Sequence, residues 1–138
     1  MHSSILRFRD YMSFIKKYRN SLLWAFLICL LCFAPTSGVS RMPFPHFDKL
    51  VHFGLWAAFA TLVISESNAL RRHGDVTRVA LRHGLIVGAA LGLLVELIQG
   101  TTWIGRSSSA LDGLADLAGV LAAIACYRWL NRMLRGMV

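Results

Sequence analysis

Four stretches without a single Lys, Arg, Asp or Glu constrain the fold of this chain more than any other feature. They cover residues 21–40, 51–65, 84–95 and 117–127. A helix that is apolar on every face belongs in a protein core or in a lipid bilayer. Four such helices in 138 residues leave too little polar sequence to enclose them in water. The pattern therefore predicts an all-α, polytopic membrane protein, and a soluble helical protein is the alternative.

The overall composition favours the membrane class as well. Hydrophobic residues make up 56% of the chain and charged residues only 16%, whereas soluble domains carry roughly a quarter charged residues. A membrane-spanning helix needs about 17–25 predominantly apolar residues. The last three stretches reach that length only if ionisable residues at their ends lie within the membrane layer.

The positions of the basic residues predict the orientation. Of the 15 Lys and Arg residues, all but Arg41, Lys49 and Arg106 lie on one side of the predicted membrane. Cytoplasmic loops of membrane proteins carry an excess of Lys and Arg, so we expect a multi-pass inner-membrane protein with both termini in the cytoplasm. This bias also explains the net charge of +8, and we exclude nucleic acid as a partner.

Four membrane helices are predicted, at about residues 21–33, 47–65, 79–99 and 111–132. Pro35 and Gly38 follow the first helix, and both residues break helices. In residues 1–20 apolar residues recur at helical spacing among basic ones, which predicts a basic amphipathic helix on the cytoplasmic surface; a solvated tail is the alternative. The chain thus divides into a cytoplasmic segment, 1–20, and a transmembrane four-helix bundle, 21–135.

The third helix carries a packing signal. It contains three glycines at four-residue steps, Gly84, Gly88 and Gly92. Such a stripe of small residues lets another helix approach closely. Glu96 continues the same step, so its side chain is expected to face a neighbouring helix instead of lipid. Asp112 and Asp116 share one face of the fourth helix, and we expect Glu96 to meet them.

The predicted topology gathers eight polar residues from three helices near the outer leaflet. They are Asp48, Lys49, His52, Glu96, Gln99, Arg106, Asp112 and Asp116. Ionisable residues inside membrane segments are costly and commonly mark functional sites. We therefore interpret this set as a polar pocket that opens outward.

These residues resemble the motif set of the VanZ-like membrane proteins, which reads D-K-x-x-H-F, then E-x-x-Q, then R-x(5)-D-x-x-x-N-x-x-G. The matching stretches are "DKLVHF" from Asp48, "ELIQ" from Glu96 and "RSSSALDGLADLAG" from Arg106. The chain departs from the pattern at Asp116, where the family usually has asparagine, and at Ser109, where an acid is frequent.

The resemblance runs from about residue 47 to the end of the fourth helix. It implies a small multi-helix membrane protein. The family is named for a protein linked to teicoplanin resistance, so the resemblance also implies a role in the cell envelope and leaves open whether this chain affects antibiotic susceptibility.

The polar set favours a ligand site for an anion. The guanidinium group of arginine can donate two parallel hydrogen bonds to a phosphate or a carboxylate. Lys49 adds a positively charged donor, and His52 adds a donor that is positive or neutral. Glu96, His52 and Asp112 are the candidate catalytic residues, since buried carboxyl and imidazole groups transfer protons. The candidate ligand-binding residues are Asp48, Lys49, Gln99, Arg106 and Asp116. The expected partners are membrane lipids and an anionic lipid-linked wall precursor.

Two alternatives stay open. In the first, Lys49 and Arg106 pair with Glu96, Asp48 and Asp112 as an interhelical clasp without ligand or catalysis. In the second, which is less favoured, a divalent metal binds among His46, Asp48, His52, Glu96 and Asp112. The sequence shows no Ser-His-Asp order and no phosphate-binding glycine loop. It therefore leaves open whether the protein is an enzyme, and it identifies no cofactor and no oligomeric state.

Overall fold

The helices of the structure begin and end near the charged and helix-breaking residues that flank the apolar stretches. In the computed structural model, which describes residues 11–34, 46–68, 78–101 and 109–136, all regular structure is helical. Helix α1 covers the described residues 11–17. The longer helices are α2 (Arg19–Phe33), α3 (Phe47–Asn68), α4 (Arg78–Gln99) and α5 (Ala110–Gly136). The prediction of an all-α protein is confirmed.

Three of the helices are long and apolar enough to cross a membrane. They are α3 and α4, with 22 residues each, and the 24 residues Ala110–Met133 of α5. At 1.5 Å per residue a 22-residue helix extends about 33 Å, which matches the hydrocarbon core of about 30 Å. The prediction of transmembrane helices is therefore confirmed for these three. Helix α2 has only 15 residues, so the fourth span stays a prediction.

Helices α3 and α5 run parallel to each other. Near their first residues, Nζ of Lys49 lies 2.9 Å from Oδ1 of Asp112. Towards their other ends, Ser65 Oγ forms a hydrogen bond with Tyr127 Oη. The two helices therefore enter the membrane layer from the same side, as the predicted topology requires.

Helix α4 runs antiparallel to both and packs against them through its glycines. A Cβ at Gly84 would lie 2.5 Å from Cγ1 of Ile64 on α3, and a Cβ at Gly88 would lie 2.7 Å from Cγ2 of Val120 on α5. All three glycines of the stripe are buried, and so is Glu96. The prediction that this face of α4 meets neighbouring helices is confirmed.

Helix α2 lies along α3 and α4. Its first residues contact Glu66 near the end of α3, where the Asn20 amide donates to Oε1 at 2.9 Å. At its other end, the carbonyl oxygen of Cys32 accepts a hydrogen bond from Nε2 of Gln99 at 2.9 Å. The helix is thus antiparallel to α3 and parallel to α4.

The two ends of this assembly differ in charge. The acidic end is formed by the first turns of α3 and α5 and the last turn of α4, and it contains Asp48, Glu96, Asp112 and Asp116. The opposite end, which we call the basic end, carries the described Lys and Arg residues other than Lys49. Those whose side chains the structure describes are Lys16, Lys17, Arg19, Arg78, Arg82, Arg128 and Arg132.

Candidate functional site

A group of ion pairs, which we call the ion-pair group, connects α3 and α5 at the acidic end. Nζ of Lys49 lies 2.9 Å from Oδ1 of Asp112 and 3.1 Å from Oδ2 of Asp48. The Lys49 side chain is partly exposed, and Asp112 is more buried than Asp48. Two contacts of the predicted clasp, Lys49 with Asp48 and Lys49 with Asp112, are therefore present.

A second polar pair joins the same helices at greater depth. Nδ1 of His52 lies 2.9 Å from Oδ1 of Asp116, and both side chains are buried. The imidazole stacks on the ring of Trp56 with an interplanar angle of 7° and a centroid distance of 5.5 Å. Trp56 in turn donates its Nε1–H to the carbonyl oxygen of Gly88 at 3.1 Å. Contacts with α4 and α5 together hold the His52 ring in one orientation.

Trp56 is a site residue that the sequence analysis missed. It is completely buried, and it links α3 to α4 while it supports the imidazole. A signal was present, because Trp56 follows His52 by four residues and therefore lies on the same helical face. An aromatic residue in an apolar run did not stand out from the other packing residues.

Glu96 connects the end of α4 to the start of α5. Its Oε2 accepts a hydrogen bond from the backbone N–H of Ser109 at 3.1 Å, and its side chain is buried. Ser109 directly precedes α5, and the first N–H groups of a helix have no partner within the helix. The carboxylate meets the positive end of the helix dipole there. The prediction that Glu96 faces the start of the last helix is confirmed.

A cavity of about 500 Å³ lies between α4 and α5 at the acidic end. The carboxylates of Glu96 and Asp116 line it together with Ser109. Its remaining wall consists of small and aliphatic residues, namely Ala89, Gly92, Leu93, Ala110, Gly113, Leu114 and Leu117. Two carboxylates thus face a space with a mainly apolar wall.

A second cavity, of about 230 Å³, lies near the basic end between α1, α2, α3 and α4. Phe14, Leu22, Phe59 and Val63 are among the residues that line it. Among the described residues, no acidic side chain lines this space. Tyr18 and His83 line it as well, so of these two cavities the one at the acidic end is distinguished by its two carboxylates.

The remaining predicted site residues have different positions. Gln99 donates to Cys32 of α2 and is not among the residues that line the cavity at the acidic end. Asp48 lies beside Lys49 and is the most exposed member of the ion-pair group. Arg106 lies outside the described residues. His46 lies just before α3, has a φ of 66°, and its carbonyl oxygen accepts the Lys49 amide at 3.1 Å.

The described part of the acidic end carries more carboxylates than cationic groups. It holds four carboxyl side chains, one ammonium group and the imidazoles of His46 and His52, and the ammonium group already lies between two carboxylates. An excess of buried negative charge attracts cations, and charges interact more strongly at low dielectric than in water. The charges at the acidic end therefore favour the binding of a cation. They give less support to the expectation that Lys49 attracts an anion directly.

Comparison with known proteins adds no further assignment. No protein-family model, curated protein or solved structure matches the chain. The resemblance to the VanZ-like proteins stays a prediction, and the site is interpreted from its own geometry.

Proposed function

We propose that this chain is an integral membrane protein of the VanZ-like type that binds the head group of an anionic, lipid-linked envelope molecule. The observation that carries the proposal is the convergence of ionisable side chains from α3, α4 and α5 beside one cavity. His52, Glu96 and Asp116 are buried there within helices that are long and apolar enough to cross a membrane. Groups of this kind are costly in a membrane and commonly mark ligand or ion pathways.

The proposed ligand is a phosphate ester on a lipid. Arg106 would bind the phosphate through its planar guanidinium group, since arginine matches phosphate oxygens in a bidentate manner. The leucines that line the cavity would contact the lipid part. If the site also catalyses a reaction on its ligand, Glu96 and His52 are the groups proposed to transfer protons, with Asp112 near them at the start of α5.

The proposed orientation places the acidic end at the outer face of the inner membrane. It is supported by the exposed basic residues at the other end, because Lys and Arg accumulate on the cytoplasmic side. The proposal includes α2 as a fourth membrane helix. The contacts of α2 with Glu66 at one end and Gln99 at the other support that placement. The segment 1–20, which includes α1, would then lie on the cytoplasmic surface.

A specific observation also favours a second function, that of a structural or assembly protein. Lys49 and His52 of α3 both bind carboxylates of α5, so that the polar groups tie two helices together. In this alternative the polar groups lock the helices and bind no ligand. Desolvation offsets much of the attraction in such buried pairs, and this cost favours the ligand site over the clasp.

Conservative substitutions separate the two functions. Glu96→Gln keeps the side-chain size and removes the charge, whereas Arg106→Lys and His52→Asn each keep a hydrogen-bond donor and change its geometry. For a ligand site we expect loss of the envelope phenotype with the thermal unfolding temperature in detergent nearly unchanged. A parallel loss of stability and phenotype would support the clasp.

Head-group binding is measured directly with the purified protein and vesicles. We expect stronger binding to phosphatidylglycerol vesicles than to phosphatidylcholine vesicles, and competition by free inorganic phosphate only at much higher concentration. Arg106→Gln should remove the preference, whereas Glu66→Gln, at the basic end, should retain it. Equal binding to both lipids by the wild-type protein would contradict the proposal.

A further inference from the structure

Three buried side chains from three different helices come together beside the cavity at the acidic end. They are His52 of α3, Glu96 of α4 and Asp116 of α5, with 5%, 9% and 2% of their surfaces exposed. One imidazole nitrogen and one oxygen of each carboxylate all lie within 4.8 Å of one another. This set differs from the metal alternative considered from the sequence, because Asp116 belongs to it and His46, Asp48 and Asp112 do not.

An independent observation at Asp116 points to a ligand at this place. Oδ1 of its carboxylate is bound to His52, but Oδ2 is buried and has no hydrogen-bond partner among the residues that the structure describes. A Cβ at Gly92, on the cavity wall, would lie 3.3 Å from this oxygen. A buried polar atom without a partner costs about 1–3 kcal/mol, and more when it is charged. A cation bound at Oδ2 would remove that cost.

We propose that His52, Glu96 and Asp116 bind a divalent transition-metal cation such as Zn²⁺ or Mn²⁺. One imidazole and two carboxylates suit these ions, whereas Mg²⁺ and Ca²⁺ prefer sets composed of oxygen alone. Metal–ligand bonds of about 2.0–2.2 Å require the three side chains to approach one another slightly. The glycines at positions 92 and 113 leave space for that movement beside the cavity.

The cation also offers a way for an acidic site to bind an anion. Three protein ligands leave further coordination positions, which water or a phosphate oxygen can fill. The bound ion would reduce the negative charge of the cluster and attract a head-group phosphate. This bridging role rests on the proposed function, whereas binding of the cation itself does not.

The test uses the full chain in detergent, treated with a chelator and then transferred to chelator-free buffer. Titration calorimetry with ZnCl₂ is expected to give one ion per chain, and electron paramagnetic resonance of free Mn²⁺ is expected to give the same stoichiometry. Glu96→Gln and Asp116→Asn keep the shape of each side chain and remove one anionic ligand. Each should weaken the affinity at least about tenfold, the lower bound for loss of even an outer-shell metal contact.

Glu66→Gln is the matched control, because it removes an acid of the same chain at the opposite end, and it should bind the ion as the wild-type protein does. Circular dichroism identifies a variant that does not fold, and His52→Asn then takes its place. Absence of stoichiometric binding by the wild-type chain, or equal affinity in the wild type and the folded variants, would overturn the proposal. If the wild-type chain binds the ion but shows no preference for phosphatidylglycerol vesicles, only the proposed head-group function would be contradicted.

Discussion

Gly119 of α5 lies where the backbones of α3 and α5 come closest. A Cβ at this position would collide with the carbonyl oxygen of Phe53 and lie 3.0 Å from the amide nitrogen of Ala57. Both are backbone atoms, which cannot move aside as the end of a flexible side chain can. We expect Gly119→Ala to lower the free energy of unfolding in detergent by about 1–3 kcal/mol.

Gly54→Ala is the matched control for that substitution. Gly54 lies on α3, and a Cβ there would meet no atom within 4 Å. Exposed substitutions of this kind usually change stability by less than about 0.5 kcal/mol. Equal losses at Gly119 and Gly54 would show that the two helices are not in close backbone contact.

The pair of His52 and Asp116 is the most buried polar contact described between α3 and α5. His52→Ala and Asp116→Ala each leave the other group without its partner, so each should destabilise the protein by about 3–5 kcal/mol. The double variant should lose less than the sum, with an interaction energy of about 0.5–3 kcal/mol. Unfolding is measured in the presence of a chelator, so that a bound cation does not contribute. Additive losses would contradict the direct pairing.

At the scale of helices, α2 depends on α3 for the capping of its N-terminus. The residue before α2 is Tyr18, and it provides no side-chain capping hydrogen bond. Glu66 of α3 supplies the acceptors instead: Oε1 binds the Asn20 amide at 2.9 Å, and Oε2 binds the Ser21 amide at 3.1 Å. The Ser21 hydroxyl also donates to Oε2 at 2.5 Å. A carboxylate at a helix N-terminus is favoured by the helix dipole as well.

Glu66→Ala is therefore expected to release the first turn of α2. Loss of a capping acceptor costs about 0.5–2 kcal/mol, and amide hydrogen exchange near Ser21 should become faster by a corresponding factor. Thr61→Ala is the control on the same helix, since the Thr61 hydroxyl donates to the Ala57 carbonyl within α3. Unchanged amide hydrogen exchange near Ser21 in the Glu66 variant would contradict the proposed capping of α2 by Glu66.

The predicted helix positions agree with the structure, but the predicted ends fall short of the observed ones. The second predicted helix covers 47–65, whereas α3 extends to Asn68, and the fourth covers 111–132, whereas α5 covers Ala110–Gly136. The apolar stretch of each helix corresponds to the part that lies within the hydrocarbon layer, and the predicted ends are placed there. A helix can continue past that layer into polar surroundings, because its backbone hydrogen bonds do not depend on the side chains.

At the scale of the whole molecule, the surface of the helices carries large apolar side chains. Leu93 and Leu97 of α4 and Leu114 of α5 each expose more than three-fifths of their surface. Apolar faces of this extent on α4 and α5 are suited to contact with lipid. We expect the protein to sediment with membranes and to require detergent for extraction, and recovery in the soluble fraction would contradict the membrane assignment.

The orientation is tested with reporter fusions. Green fluorescent protein fused after Val138 should fluoresce, and alkaline phosphatase fused after Thr101 should be active, because the first position is expected in the cytoplasm and the second outside. The reason is the excess of basic residues at the end that contains Arg78 and Arg128. Active phosphatase at the C-terminus would reverse the orientation and place the acidic end on the cytoplasmic side.

The sequence by itself determined the helical class, the three long apolar helices and the packing face of α4. Charge-free runs have few alternatives to helices in a bilayer, because every backbone polar group must be satisfied within the segment. The four-residue spacing of the glycines and Glu96 also specified which face of α4 is buried.

Only the tertiary structure decided which polar residues meet. It pairs His52 with Asp116, directs Gln99 to α2 and brings Glu96 to the amide of Ser109. Sequence periodicity places a residue on a helical face, but its partner depends on the rotation and the axial shift of each helix. Those quantities are set by the close contacts of Gly84, Gly88 and Gly119 with neighbouring helices, which involve residues far apart in the chain.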